Sequence, residues 1–273
     1  MTSQIGSSPL PDISSASVKR SDEPQIRAIS VDDISESLSA GMRDFRAAPL
    51  FGLAFGAACA ISGAVLVNIA DNFGLVYLTY PVIAGFALIA PSAAVGFYEI
   101  SRRLEKGEPA SPGSVLATIL REGGKELGFM ALVGLFCLLT WLYSAGFLYA
   151  LFFGLQPADL GDIIGNAVAT PRGLVFLLVG NAVGGIMAML LFSISVVSYP
   201  LLLDRNVDFV TAMITSVRVV QASPGPMIGW GIFLATLTAI ASLPMFLGLI
   251  VVLPVLGHAT WHLYRRAVVR TTD

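Results

Sequence analysis

Long apolar stretches without a charge dominate the chain. They run over Leu50–Ala70, Leu75–Tyr98, Leu127–Phe153, Leu174–Tyr199, Met227–Leu243 and Met245–Leu263, and none holds an Asp, Glu, Lys or Arg. A helix rises about 1.5 Å per residue, so roughly 18 to 20 such residues cross the ~30 Å hydrocarbon layer of a bilayer. A helix on a soluble core would interrupt each stretch with a polar face. The last two stretches adjoin and together far exceed one crossing. Pro244 between them removes a helical N–H and breaks the run. The pattern therefore predicts an all-α, polytopic membrane bundle of six spans in three hairpins.

The segments between the spans follow a different period. Ser30 and Asp33 have the spacing of a capping box, and Ile34, Leu38, Met42 and Phe45 follow on one helical face until Pro49 ends it. This predicts an amphipathic helix at the headgroups or against the bundle. Phe209, Met213, Val217 and Val220 predict another. Three segments with basic residues, at Gly41–Arg46, Ile119–Lys125 and Ser216–Gln221, each precede a pair of spans. The unit is a short amphipathic helix followed by two spans, used three times. Residues 1–28, rich in Ser, Pro and Asp without an apolar period, read as a disordered cytoplasmic tail. The membrane domain then covers residues 29–268, and 269–273 form a cytoplasmic C-terminal tail.

Charge sets the orientation. Only 12% of the 273 residues are charged, against 55% hydrophobic, and the net charge of −2 gives no reason to expect a nucleic-acid partner. With six spans and the N-terminus inside, every Lys and Arg except Arg172 falls on the cytoplasmic side, and Arg102, Arg103, Arg265 and Arg266 directly follow span ends. Both termini are expected in the cytoplasm and the protein in a bacterial inner membrane. Leu50–Ala70 is expected to act as an uncleaved targeting signal.

Chemistry-bearing residues are few. Spans without ionisable groups argue against an ion-driven pump, which must hold and release its coupling ion inside the membrane. Glu99 stands at a span border with Arg102 and Arg103 three and four residues on, one helical turn away, as an interfacial ion pair would require. His258 and His262 share one face of the last span beside Trp261 and Tyr264. That spacing can serve a metal, yet no third ligand lies nearby, and an aromatic and basic membrane border accounts for it. Glu99, Arg102, Arg103, His258 and His262 form the candidate functional cluster, with Glu99 expected to hydrogen-bond His262. Cys59 and Cys137 lie in apolar runs without metal-like spacing, and no catalytic or nucleotide-binding motif is present. No catalytic residue, metal site or cofactor is assigned, and the protein is expected not to be an enzyme. Small residues every fourth position, Gly52, Gly56, Ala60 and Ala64 and then Gly180, Gly184 and Ala188, permit close helix approach. Pro81, Pro91 and Pro254 break or kink their spans.

Four segments in order resemble a bacterial membrane family of unassigned function, the domain of unknown function 2189. They are Gly41-Met-Arg-Asp-Phe-Arg-Ala-Ala-Pro-Leu, Gly96-Phe-Tyr-Glu-Ile-Ser-Arg-Arg-Leu-Glu-Lys-Gly-Glu-Pro, Tyr199-Pro-Leu-Leu-Leu-Asp-Arg and Val252-Leu-Pro-Val-Leu-Gly-His-Ala-Thr-Trp-His-Leu-Tyr-Arg-Arg. The resemblance spans residues 29 to 268 and implies a six-span integral membrane protein. Some members carry a cytochrome c oxidase label, but two histidines cannot supply the haem and copper ligands of an oxidase catalytic subunit. The expected function is a non-enzymatic partner or assembly protein of a membrane complex, in contact with the lipid bilayer and with a membrane-protein partner or a second copy. The alternatives are a passive transporter or channel for a small or lipid-like solute, and an oxidase-associated protein with a His-based metal or haem site.

Overall fold

The computed structural model describes residues 24–73, 75, 94–122, 124–154, 160–244 and 246–269. Most of the second apolar run, with Pro81 and Pro91, lies outside the described residues, as do the tail through residue 23, residues 155–159 and residues 270–273. Among the described residues the secondary structure is helical, apart from a single antiparallel bridge between Ile26 and Val268.

Eleven helices are described: α1 (Val31–Ala47), α2 (Pro49–Asn72), α3 (Val95–Lys106), α4 (Pro112–Glu122), α5 (Glu126–Phe153), α6 (Leu160–Ala169), α7 (Pro171–Ser195), α8 (Ser198–Asp204), α9 (Phe209–Ala222), α10 (Pro224–Ser242) and α11 (Leu249–Ala267). Among the described residues four stretches are long and apolar enough to cross a membrane: Pro49–Ile69, Glu126–Phe153, Pro171–Asp204 and Pro224–Ser242. They match the first, third, fourth and fifth apolar runs to within a few residues, the third of the four extended by α8. Prolines open α2, α4, α7 and α10, where the missing N–H costs no helical bond. The break at Pro244 is present: α10 ends at Ser242, Phe246 takes a left-handed φ of 65°, and α11 starts at Leu249.

The short helices are docked on other helices rather than lying free. The capping box on α1 is formed, Ser30 accepting from the Asp33 N–H while Asp33 accepts from the Ser30 N–H. Ser37, Ala40 and Gly41 are its buried residues, and they let α1 lie directly on α11. A Cβ on Gly41 would stand 2.5 Å from the Ala259 backbone nitrogen. Ile34 and Leu38 pack beside this seam. In α9 the buried face is Ala212, Thr215, Ser216, Val219 and Val220.

The chain ahead of α1 is also tied down where it is described. The Arg27 N–H donates to the Ala267 carbonyl, the Val269 N–H to the Gln25 carbonyl and the Ile29 N–H to Ser223 Oγ. Residues 24–28, assigned by composition to the tail, form an ordered edge with the C-terminal segment. Backbone pairing with a segment distant in sequence leaves no hydrophobic period, so composition alone does not reveal it.

Helix α11 is the centre of the fold. Every residue from Leu253 to Trp261 is buried, and α1, α2, α3 and α10 pack around it. The first small-residue ribbon faces it: Gly52 meets Pro254, Gly56 meets Ile250, and Ala60 is buried in the cluster with Leu249 and Leu253. On α7 the second ribbon is used in part, Gly184 lying against the Trp141 ring while Gly180 has nothing within 4 Å.

Candidate functional site

At one end of α11 the fold gathers its charges into a partly buried network. Helix α3 contributes Glu99, Ser101, Arg102, Arg103 and Glu105; α1 contributes Asp44; α8 contributes Asp204; α11 contributes His258, Trp261, His262, Tyr264 and Arg265. The first-turn acids of α1 and Arg266 continue it outward.

Glu99 is completely buried, and it accepts from Arg102 Nε at 2.7 Å and from Arg103 Nε at 2.6 Å. The i, i+3 and i, i+4 spacing brings both guanidinium groups to one carboxylate, as the sequence suggests. These arginines do not reach for headgroups, however. Their side chains are 12% and 14% exposed. Arg102 donates onward to the Leu203 carbonyl, and Arg103 to Thr118 Oγ1 and the carbonyls of Pro109 and Ser114. The pair is an internal brace between α3, α4 and α8. A carboxylate taken out of water is tolerated because two charge-assisted bonds satisfy it.

The histidines have other partners than expected. His262 Nε2 meets Asp44 Oδ2 at 2.7 Å and its Nδ1 lies 3.7 Å from Glu105 Oε1. The expected Glu99–His262 hydrogen bond is replaced by this contact, because the arginines of its own helix claim Glu99 and α1 brings Asp44 against α11. Burial pushes the Asp44 carboxyl up, but the hydrogen bonds from His262 and Ser101, with the charge of His262, outweigh it and hold it below the ordinary carboxylate range. Ionised Asp44 can only accept. Ser101 Oγ, 2.6 Å away, therefore donates to it. That hydroxyl then accepts from His258 Nδ1 at 2.8 Å. The fully buried His258 is thereby fixed in its Nδ1–H tautomer, and among the described residues its Nε2 has no hydrogen-bond partner. Phe97 packs its ring against this imidazole at 5.6 Å between centroids.

Trp261 and Tyr264 are interior groups rather than a membrane border. Trp261 is 0% and Tyr264 1% exposed. Trp261 Nε1 donates to Glu105 Oε1 at 3.1 Å, and Tyr264 Oη donates to Asp204 Oδ2 at 2.7 Å. Burial and the negative Asp204 push the Tyr264 hydroxyl well above the ordinary tyrosine range. Arg265 bridges Glu105 and Asp204 at 3.2 and 3.0 Å. Arg266 reaches Glu36 and Asp33, and Arg27 also pairs with Asp33.

All five candidate residues thus fall in one region, with Glu99, Arg102 and Arg103 in one branch and His258 and His262 in another. Asp44, Ser101, Glu105 and Asp204 are the linking residues that sequence reasoning did not select. Asp44 carried a signal: it stands seven residues after Ser37 and three after Gly41, on the same helical stripe as the small residues that face α11. Among the described residues no group of three or more His, Cys, Asp or Glu side chains is placed to hold a metal ion. The two histidines are spent on different partners, Ser101 and Asp44. Chemically the arrangement is a set of linked hydrogen bonds and ion pairs that locks α1, α3, α8 and α11 together at one end of the fold.

No curated protein and no solved structure matches the chain. The model of one family, described as "Predicted integral membrane protein (DUF2189)", matches residues 79–204. That stretch holds α3 to α8 and so Glu99, Ser101, Arg102, Arg103, Glu105 and Asp204, whereas Asp44, His258 and His262 lie outside it. Over residues 79–204, a little under half of its length, the chain is similar to this family of predicted integral membrane proteins.

Proposed function

We propose that this protein is a non-enzymatic component of a bacterial inner membrane that packs against a membrane partner, a second protein or a second copy of itself. In this reading six spans form three hairpins, both termini lie in the cytoplasm, and the ionic network marks the cytoplasmic end. The supporting observation is on α7. Only 6% of its most apolar 18 residues is buried within the chain, and Leu178, Ile186 and Leu190 are 72%, 63% and 62% exposed. On the same helix Gly180 and Gly185 have nothing within 4 Å. Small residues at a helix surface let a second backbone approach closely. Those two positions have no such use within the described part of the chain.

The network supports the same reading from the other side. Glu99, Asp44 and Asp204 are engaged by groups of the chain itself, as expected of a brace that holds the helices in place. The test is photo-crosslinking in living membranes from a reactive residue at Leu178 or Ile186, followed by identification of the adducts. A discrete protein adduct is expected from these positions and not from Phe136, an exposed residue on α5. Adducts with lipid alone at all three positions would sink the reading.

A further inference from the structure

Two groups stand out among the cations of the described chain. Arg27, Arg102, Arg103, Arg265 and Arg266 are engaged with carboxylates of the fold. A second group stands exposed just before each of three apolar helices: Arg43 and Arg46 before α2, Arg121 and Lys125 before α5, and Arg218 before α10. Arg43 and Arg46 stand out within it. Both project from the last turns of α1 on the side away from α11, since the face toward α11 is taken by Ser37, Ala40 and Gly41. Residues three apart on a helix have side chains about 5–6 Å apart at Cβ, so two guanidinium groups can converge on one anion.

What adjoins the pair defines the anion. α1 ends at Ala47 and α2 begins at Pro49, so the pair ends less than one turn before a span-length apolar helix. Leu50 is 80% exposed, and Leu53 and Ile61, on the same face further along α2, are 38% and 64% exposed. An anionic group bound at the arginines would therefore carry its apolar part along α2. A phospholipid has this construction, with a phosphate that accepts paired N–H bonds from arginine and acyl chains below it.

We propose that Arg43 and Arg46 form a binding site for the headgroup of an anionic phospholipid, seated where α1 passes into α2. The acyl chains lie along Leu50, Leu53 and Ile61. The α1–α2 junction is then fixed at the depth of the phosphates, and α1 is held between two anchors, α11 on its inner face and the lipid on its outer face. The site needs no partner protein and stands apart from the function proposed above.

The test is native mass spectrometry of the full-length protein in a mild detergent, titrated with phosphatidylglycerol or phosphatidylcholine. Phosphatidylglycerol is expected to bind preferentially. Two basic residues near the surface are together worth roughly 10- to 30-fold in affinity for anionic lipid, and the Arg43→Gln/Arg46→Gln variant should lose about that much. Arg43→Lys/Arg46→Lys should keep most of the preference, because the charge remains. Equal phosphatidylglycerol binding by the wild type and the Gln variant would overturn the site, as would equal binding of the two lipids by the wild type. Should the Gln variant fold poorly, the wild type decides alone: its preference should collapse as salt is raised, and persistence in high salt would overturn the site.

Discussion

Gly56 of α2 lies against the backbone of Ile250 of α11, so closely that a Cβ on the glycine would stand 2.5 Å from the Ile250 carbonyl oxygen. The obstacle is backbone, which cannot rotate aside, so Gly56→Ala must push two helices of the core apart. Overpacking of this kind costs about 1–3 kcal/mol. Gly180→Ala, on the open face of α7, should be neutral or gain up to about 1 kcal/mol from helix propensity. Thermal unfolding of both variants in one detergent checks the contrast; equal effects would contradict the close α2–α11 approach.

Glu99→Gln removes the one carboxylate that two partly buried guanidinium groups share. Breaking a buried pair from one side costs about 3–5 kcal/mol, because the charges left behind keep their desolvation penalty. Adding Arg103→Gln should recover part of that loss, so the double variant falls short of the sum of the singles. A double-mutant cycle on unfolding free energy gives the answer, and strict additivity would contradict the brace.

Acid should loosen the hold of α1. The Asp44 carboxyl is held below its ordinary value of 3.8 in the folded chain. The unfolded chain therefore takes up this proton first as the pH falls. Stability from Asp44 is full above about pH 4 and is lost as the pH falls through its lower folded value. Asp33 and Asp208 are also lowered and add to the same slope. Stability measured from pH 6 to pH 2 should decline, and Asp44→Asn should start lower and decline less steeply. An unchanged slope would show that Asp44 is not ionised and paired as described.

Both ends of the chain should report the same side of the membrane. The Gln25–Arg27 segment pairs with Ala267–Val269, which sets the two described ends side by side. Reporters before Met1 and after Asp273 are expected to read cytoplasmic, and one near Asp159 to read the outside. A C-terminal reporter on the outer side would remove the six-span arrangement.

The sequence by itself determined the helices. Uninterrupted apolar runs, the Ser30 capping box, prolines at helix starts and the break at Pro244 act through neighbours in the chain, and the described helices follow them closely. It also determined the Glu99–Arg102–Arg103 group, because helical geometry alone brings residues three and four apart together. Only the tertiary structure decided which groups meet across the fold. Asp44 reaches Ser101 and His262 from 57 and 218 residues away, and no local period encodes such a meeting. It arises because Gly41 lets α1 lie against Ala259, which carries the carboxylate three residues on to the histidine three residues on. The same close packing turned Trp261 and Tyr264 inward. Their amphipathic rings suit a membrane border as well as a buried polar network, and only the positions of Glu105 and Asp204 choose between the two.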